Sequence, residues 1–212
     1  MTEPLSSRAY RQIIELILSR KLAPGAALKE GELAGELDMS RTPVREAMKR
    51  IEAEGLAHRD GRFLRVRQLT HTEIEEVFAL RAALEGFAAR QAVTLSLSTL
   101  DDMASRVRDL MAGGPGDSDV QSRVDSDFHA MIAQASENRT LVRTVADLRL
   151  RTCMFDVHQV PNRFLQGCEE HLGIIEALVA RDGATAEARM IAHVGNAARA
   201  ILVRLDRLEA DA

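Results

Sequence analysis

At 212 residues, 46% of them hydrophobic and 28% charged, the chain is long enough for one large or two ordinary domains with a buried core. It holds no run of 18 apolar residues that would cross a membrane, and its N-terminus, MTEPLSSRAYRQ, lacks the apolar run of a secretory signal. Two cysteines, Cys153 and Cys168, make neither a disulfide framework nor a CxxC metal site, so a reducing cytoplasm is expected. Aromatics at 3%, with no Trp, disfavour a β-sandwich and any binder of single-stranded nucleic acid that works by base stacking.

The net charge of −4 hides an asymmetry. Residues 1–68 carry 13 Lys and Arg against 10 Asp and Glu, while residues 69–212 carry 15 against 22. All three lysines (Lys21, Lys29 and Lys49) lie in the first part, and Arg59, Arg62, Arg65 and Arg67 crowd one short segment. This is the balance of a DNA-binding head on a body that does not touch DNA.

In chain order, Ile13, Ile14, Leu16 and Ile17 predict a helix over 8–20 that stops before Ala23-Pro24-Gly25. A short helix follows at 30–37, then a tight turn at Asp38-Met39. Ser40 caps a third helix that carries Pro43 in its first turn and ends at Gly55. Asp60-Gly61 signals a hairpin, with Phe63, Leu64 and Val66 on the returning strand. The order helix, helix, tight turn, helix, hairpin is a winged helix-turn-helix, assigned to residues 1–68. From Thr70 onward no strand pattern appears. Helices are expected at 72–93, 97–112, 118–136, 138–157, 161–181 and 183–209, with Gly113-Gly114-Pro115-Gly116 as the clearest break. Residues 69–212 therefore read as an all-α six-helix bundle, and the whole chain as mainly α.

The third helix points Val44, Ala47, Met48 and Ile51 inward and Arg41, Thr42 and Arg45 outward at its N-terminal end. A recognition helix places its first turns in the major groove, where Arg pairs in bidentate fashion with guanine. The hydroxyls of Ser40 and Thr42 suit phosphates, as do the free N–H groups at the helix start. Gly61 at the wing tip, with Arg59 and Arg62 beside it, suits the minor groove. Winged helices also serve as protein contacts, so a solvated basic helix is the competing reading.

In the second part, Asp125 and His129 stand four apart on one helical face. His171 lines up with Ile174, Ile175 and Leu178, and His193 with Met190, Ala197 and Ile201. Three helices each send a histidine toward the core and one adds a carboxylate, a donor set that a divalent transition metal accepts. Zn comes first, and Ni, Mn and Fe take the same donors. Ordinary core histidines are the alternative reading. Arg81 falls on the apolar stripe Ile74, Val77, Phe78, Leu84 and Ala88. It either pairs with Glu85 one turn on or clamps an anionic ligand. Asn138 and Arg151 are weaker ligand candidates. Cys153, Met154 and Cys168 read as core packing. An enzyme built on the same metal lacks any HExxH, GxSxG or phosphate loop.

Several strings carry a resemblance. Leu22-Ala23-Pro24-Gly25, Leu33-Ala34, SRTPVREA at 40–47 and Glu54-Gly55-Leu56 resemble the winged helix of GntR-family bacterial transcription regulators. Ser40, Arg41, Thr42, Arg45 and Gly61 match that family's DNA-contact positions. Thr72-Glu73-Ile74, Leu80-Arg81-Ala82-Ala83-Leu84-Glu85, Asp125-x-x-Phe128-His129, Ala135-Ser136-x-Asn138, Glu170-His171 and Met190-x-x-His193 resemble the FCD effector domain of the FadR-type branch. Six helices are similar to its shorter, VanR-like group. The resemblance implies a metal held by Asp125, His129, His171 and His193, with Arg81 near an effector cavity. It further implies a homodimer on pseudo-palindromic double-stranded operator DNA, controlled by a small organic acid and usually acting as a repressor.

Overall fold

The computed structural model describes residues 4–19, 21–67, 69–114, 118–159 and 163–210. They fall into two compact units, Met1–Leu69 and Thr70–Ala212. The first runs α1 (Leu5–Leu18), β1 (Ala27–Leu28), α2 (Glu30–Glu36), α3 (Arg41–Ala53), β2 (Ala57–Asp60) and β3 (Phe63–Val66). Ala9, Ile13 and Ile17 of α1 close on Val44, Ala47 and Ile51 of α3, with Leu33, Leu56, Leu64 and Val66 completing a core of buried side chains. Burying each such side chain is worth about 1.5–3 kcal/mol, so the apolar stripes of α1 and α3 set how the two helices meet.

Helix α3 ends in a Schellman motif. Gly55 N–H donates to Glu52 C=O at 3.0 Å, and Leu56 N–H to Ile51 C=O at 3.0 Å, with Gly55 at φ 73°. The hairpin pairs Asp60 with Phe63 across Gly61-Arg62, and Gly61 at φ 58° supplies the positive φ that a two-residue turn needs. β1 adds to the other side of β3, giving a three-stranded antiparallel sheet in the order β1-β3-β2. A two-residue strand shows no alternation, which is why the sequence reading assigns no element between the turn at Ala23-Pro24-Gly25 and the second helix. Phe63 is exposed, while Leu64 and Val66 of the same strand point into the core.

The second unit is helical, as expected. It runs α4 (His71–Gln91), a short 3-10 turn (Ala92–Thr94), α5 (Leu97–Gly113), α6 (Ser118–Ala135), α7 (Arg139–Gln159), α8 (Phe164–Val179) and α9 (Gly183–Ala210). Thr70 begins α4 with a full capping box, accepting from Glu73 N–H at 3.2 Å while the Glu73 carboxylate accepts from Thr70 N–H at 2.9 Å. Helix α4 packs along α9 and also against α6 and α7, so it contacts three other helices of the bundle. Gly183 lets α9 start close to the end of α4, because a Cβ there would lie 2.7 Å from the Arg90 carbonyl oxygen. Among the described residues, no helix is long and apolar enough to cross a membrane.

Candidate metal centre and nucleic-acid interface

On α3, the sequence SRTPVREA divides between core and solvent. Pro43, Val44 and Ala47 are buried, and Ser40, Arg41, Thr42 and Arg45 are exposed. Ser40 holds the N-cap backbone position, but its hydroxyl makes no cap hydrogen bond, so it stays available to a ligand at the helix start. Arg45 extends a bidentate pair to Glu30 of α2, with both N···O distances 2.8 Å. Arg59 likewise pairs with Glu52 at 2.9 and 3.2 Å. Arg62 lies 4.9 Å over the Phe63 ring at the tip of the hairpin. These pairs are exposed and screened by water, so a phosphate or a base edge can replace the carboxylate at little cost.

In the helical unit, α6 contributes Asp125 and His129, α8 contributes His171 and α9 contributes His193. One ligand atom from each lies within 4.8 Å of the others. His171 Nε2 is 3.2 Å from His193 Nε2, which is 3.3 Å from His129 Nε2. Asp125 Oδ1 is 3.6 Å from His171 Nε2 and 3.7 Å from His129 Nε2. Such separations are the edges of a coordination shell with bonds of about 2.0–2.2 Å. All three histidines are buried, whereas Asp125 keeps 33% of its side-chain exposure, so the cluster is reached from the Asp125 side.

The groups behind these ligands decide how the rings face. His129 Nδ1 bonds to Glu85 of α4, and His193 Nδ1 lies 2.7 Å from Glu170 Oε2. A carboxylate at Nδ1 draws the proton there and turns the Nε2 lone pair toward the centre. His129 and His193 then oppose two lone pairs 3.3 Å apart with no proton between them. A cation at the centre relieves that opposition, so the residues present fit a divalent metal. His171 stacks on Phe128 at 4.0 Å between centroids, which holds its ring plane.

Charge in this region is buried but matched. Burial opposes ionisation of Asp125, but Arg149 and the surrounding imidazoles outweigh it and hold the carboxyl far below the usual carboxylate range. Burial, then Arg149, lowers His129 to about 4, so the ring is neutral at physiological pH. Burial and the neighbouring His193 likewise keep His171 neutral. Glu170 resists burial through its bonds to His193 and Asn196 and falls to about 2. Burial also opposes the charge on Glu85, but Arg81 and His129 overcome it.

Arg81 is 2% exposed and committed inward, with Nε 2.8 Å from Glu85 Oε1 and Nη1 2.8 Å from Thr152 Oγ1. It therefore stands one step behind His129, with Glu85 between them. The pairing with Glu85 was legible from the spacing of four; the reach of Glu85 to His129, 44 residues on, was not. Arg149 against Asp125 and Glu170 against His193 were missed for the same reason. Glu170 adjoins His171 in the sequence, but a neighbour in a helix faces another way. Asn138 is exposed, and its Oδ1 accepts from Thr140 N–H and Leu141 N–H at 3.1 Å each, so it caps α7 and is not gathered with the cluster. Arg151 is half-buried with its Nε in the interior. The side chains of Cys153 and Met154 lie outside the described residues.

Residues 5–62 match the bacterial regulatory proteins of the gntR family, and residues 76–196 match the FCD domain. The chain belongs to the GntR family and carries an FCD domain. This GntR-family regulator is 31% identical over 195 residues to a relative from Paenarthrobacter nicotinovorans named "Probable D-xylose utilization operon transcriptional repressor", covering 90% of this chain and 85% of the relative. It is 28% identical over 203 residues to the HTH-type transcriptional repressor RspR of Escherichia coli strain K12, covering 91% and 87%. In fold it is similar to E. coli McbR/YncC, with TM-score 0.78 and 21% identity over 92% of this chain and 95% of the other. It is also similar to a structure described as the metal-free FCD domain of TM0439, with TM-score 0.58 and 17% identity over 66% and 99%. The named relatives are transcriptional regulators, and this chain is one too.

Proposed function

We propose that this regulator is a cytoplasmic repressor whose affinity for operator DNA is set by a small organic acid bound at a metal in the FCD domain. Arg41, Thr42 and Arg45 enter the major groove, and the Ser40 hydroxyl and the N–H groups at the start of α3 take a phosphate. Arg59, Gly61 and Arg62 of the wing lie along the minor groove. Two copies bind a pseudo-palindromic site, because a two-fold dimer matches two half-sites one helical turn apart.

The observation that carries the effector reading is the inward convergence of Asp125, His129, His171 and His193, with carboxylates behind two of the rings. These four residues would hold the metal, zinc first by donor type. When bound, the ion supplies a Lewis-acidic centre that accepts a carboxylate. The charge balance favours an anionic effector. Glu85, Asp125 and Glu170 are already matched by Arg81, Arg149 and Arg163, so a divalent ion brings positive charge that these groups do not offset. Glu85 and Glu170 fix the ring planes of His129 and His193, and Arg149 fixes Asp125.

Elemental analysis of protein purified in metal-replete, chelator-free buffer tests the site. About one transition-metal ion per chain is expected, with loss of that ion in His129→Ala and His171→Ala. A metal-free wild type would reduce the four residues to a polar cavity and overturn this half of the reading.

A further inference from the structure

The two carboxylates in the first turn of α2, Glu30 and Glu32, do different things. Glu32 stays local and accepts from Lys29 Nζ at 2.9 Å. Glu30 reaches across to α3, where its two oxygens accept from Nε and Nη2 of Arg45 at 2.8 Å each. Glu30 keeps 26% of its side-chain exposure and Arg45 keeps 58%, so the carboxylate is the sheltered partner and the guanidinium the presented one.

The edge of the guanidinium that Glu30 takes decides what is left. Arginine carries five N–H donors in one rigid plane. Glu30 closes the Nε–Nη2 edge, and the Nη1–Nη2 edge stays open. Among the described residues Arg45 makes no second ion pair that would fill it. Two parallel N–H bonds on one edge are what reads guanine O6 and N7. A guanine therefore meets Arg45 with the ion pair intact. A phosphate drawn by the charge finds it already matched, and displacing Glu30 exchanges one anion for another. The bond to Arg45 also holds the Glu30 carboxyl below its ordinary range, so the pair stays ionised at neutral pH.

We infer that Glu30 is a positioning residue for sequence readout: it holds the Arg45 fork toward a guanine in the major groove and withholds the Arg45 charge from DNA of other sequence. This rests on the DNA-binding reading above and adds the means by which the head tells one sequence from another.

Fluorescence anisotropy of the full chain tests it, on a duplex selected from a random-sequence pool by the wild-type protein and on a shuffled duplex of the same composition. Glu30→Gln is expected to weaken binding to the selected duplex by about tenfold. It is expected to strengthen binding to the shuffled duplex by about threefold, and to steepen the slope of log affinity against log salt there by about one. Arg45→Lys keeps the charge and loses the fork, so it is expected to lower the ratio of the two affinities by about tenfold. In an Arg45→Ala background, Glu30→Gln is expected to leave that ratio unchanged. A Glu30→Gln protein that weakens both duplexes alike makes Glu30 a staple between α2 and α3, and one that strengthens both alike makes it a repulsive charge. Either result, or an Arg45→Lys protein that discriminates like the wild type, overturns the inference and leaves the DNA-binding reading standing. A wild type that enriches no sequence from the pool overturns both.

Discussion

Glu170 lies outside the candidate ligand set and bonds to one of its rings. Its carboxylate accepts from Asn196 and Arg163 while it fixes Nδ1 of His193. Glu170→Gln keeps the shape and weakens the grip on the imidazole proton, so metal affinity should fall by about 10–100-fold, read by competition with a chelator of known affinity. Unchanged affinity would mean that the ring is held by packing alone. Arg81 makes a different case. Truncating it to Ala leaves Glu85 buried without its main partner and should cost about 3–5 kcal/mol in urea unfolding; a loss below about 1 kcal/mol would show that water reaches the site. Burial, with the Asp125 carboxylate nearby, raises Cys168 to about 11. The folded protein therefore keeps this thiol protonated until the pH approaches that value. In a Cys153→Ser background, iodoacetamide should label it slowly at pH 8 and faster above pH 10, with full reactivity at pH 8 only after denaturation. The four candidate ligands were visible in the sequence because two share a helical face and two sit on apolar stripes. Their carboxylate and guanidinium neighbours were not, because those contacts join helices far apart in the chain.

At the scale of the element, sequence and structure agree where the residues that start or stop a helix are local to it. Thr70 and Glu73 mark the start of α4, Gly55 the end of α3, and Asp182, which accepts from Thr185 N–H at 3.0 Å, the start of α9. The two-residue β1 escaped because it has too few residues to alternate, and its pairing is supplied by β3. The reason for Gly183 was also hidden, since its neighbour Arg90 lies at the other end of a helix pair. Gly183→Ala forces the first turn of α9 off the Arg90 carbonyl, a backbone group that cannot swing aside. The substitution should lower stability by about 1–3 kcal/mol despite the better helix propensity of Ala. A rise in melting temperature would show that the two helix ends move apart freely.

For the whole molecule, the division of labour follows the charge. The basic head exposes arginines along α3 and the hairpin, and the acidic body buries its own arginines against carboxylates beside three histidines. Control of the one by the other requires that the effector change operator affinity through a coupling free energy, typically about 1–3 kcal/mol. The deciding measurement is fluorescence anisotropy on a duplex selected from a random-sequence pool by the wild-type protein. It compares metal-stripped protein, metal-loaded protein, and metal-loaded protein with a panel of small mono-, di- and tricarboxylates. At least one carboxylate should weaken binding by about tenfold or more in the metal-loaded wild type, with no effect on metal-stripped protein or on His171→Ala. Equal affinity in every state, across the whole panel, would contradict the account.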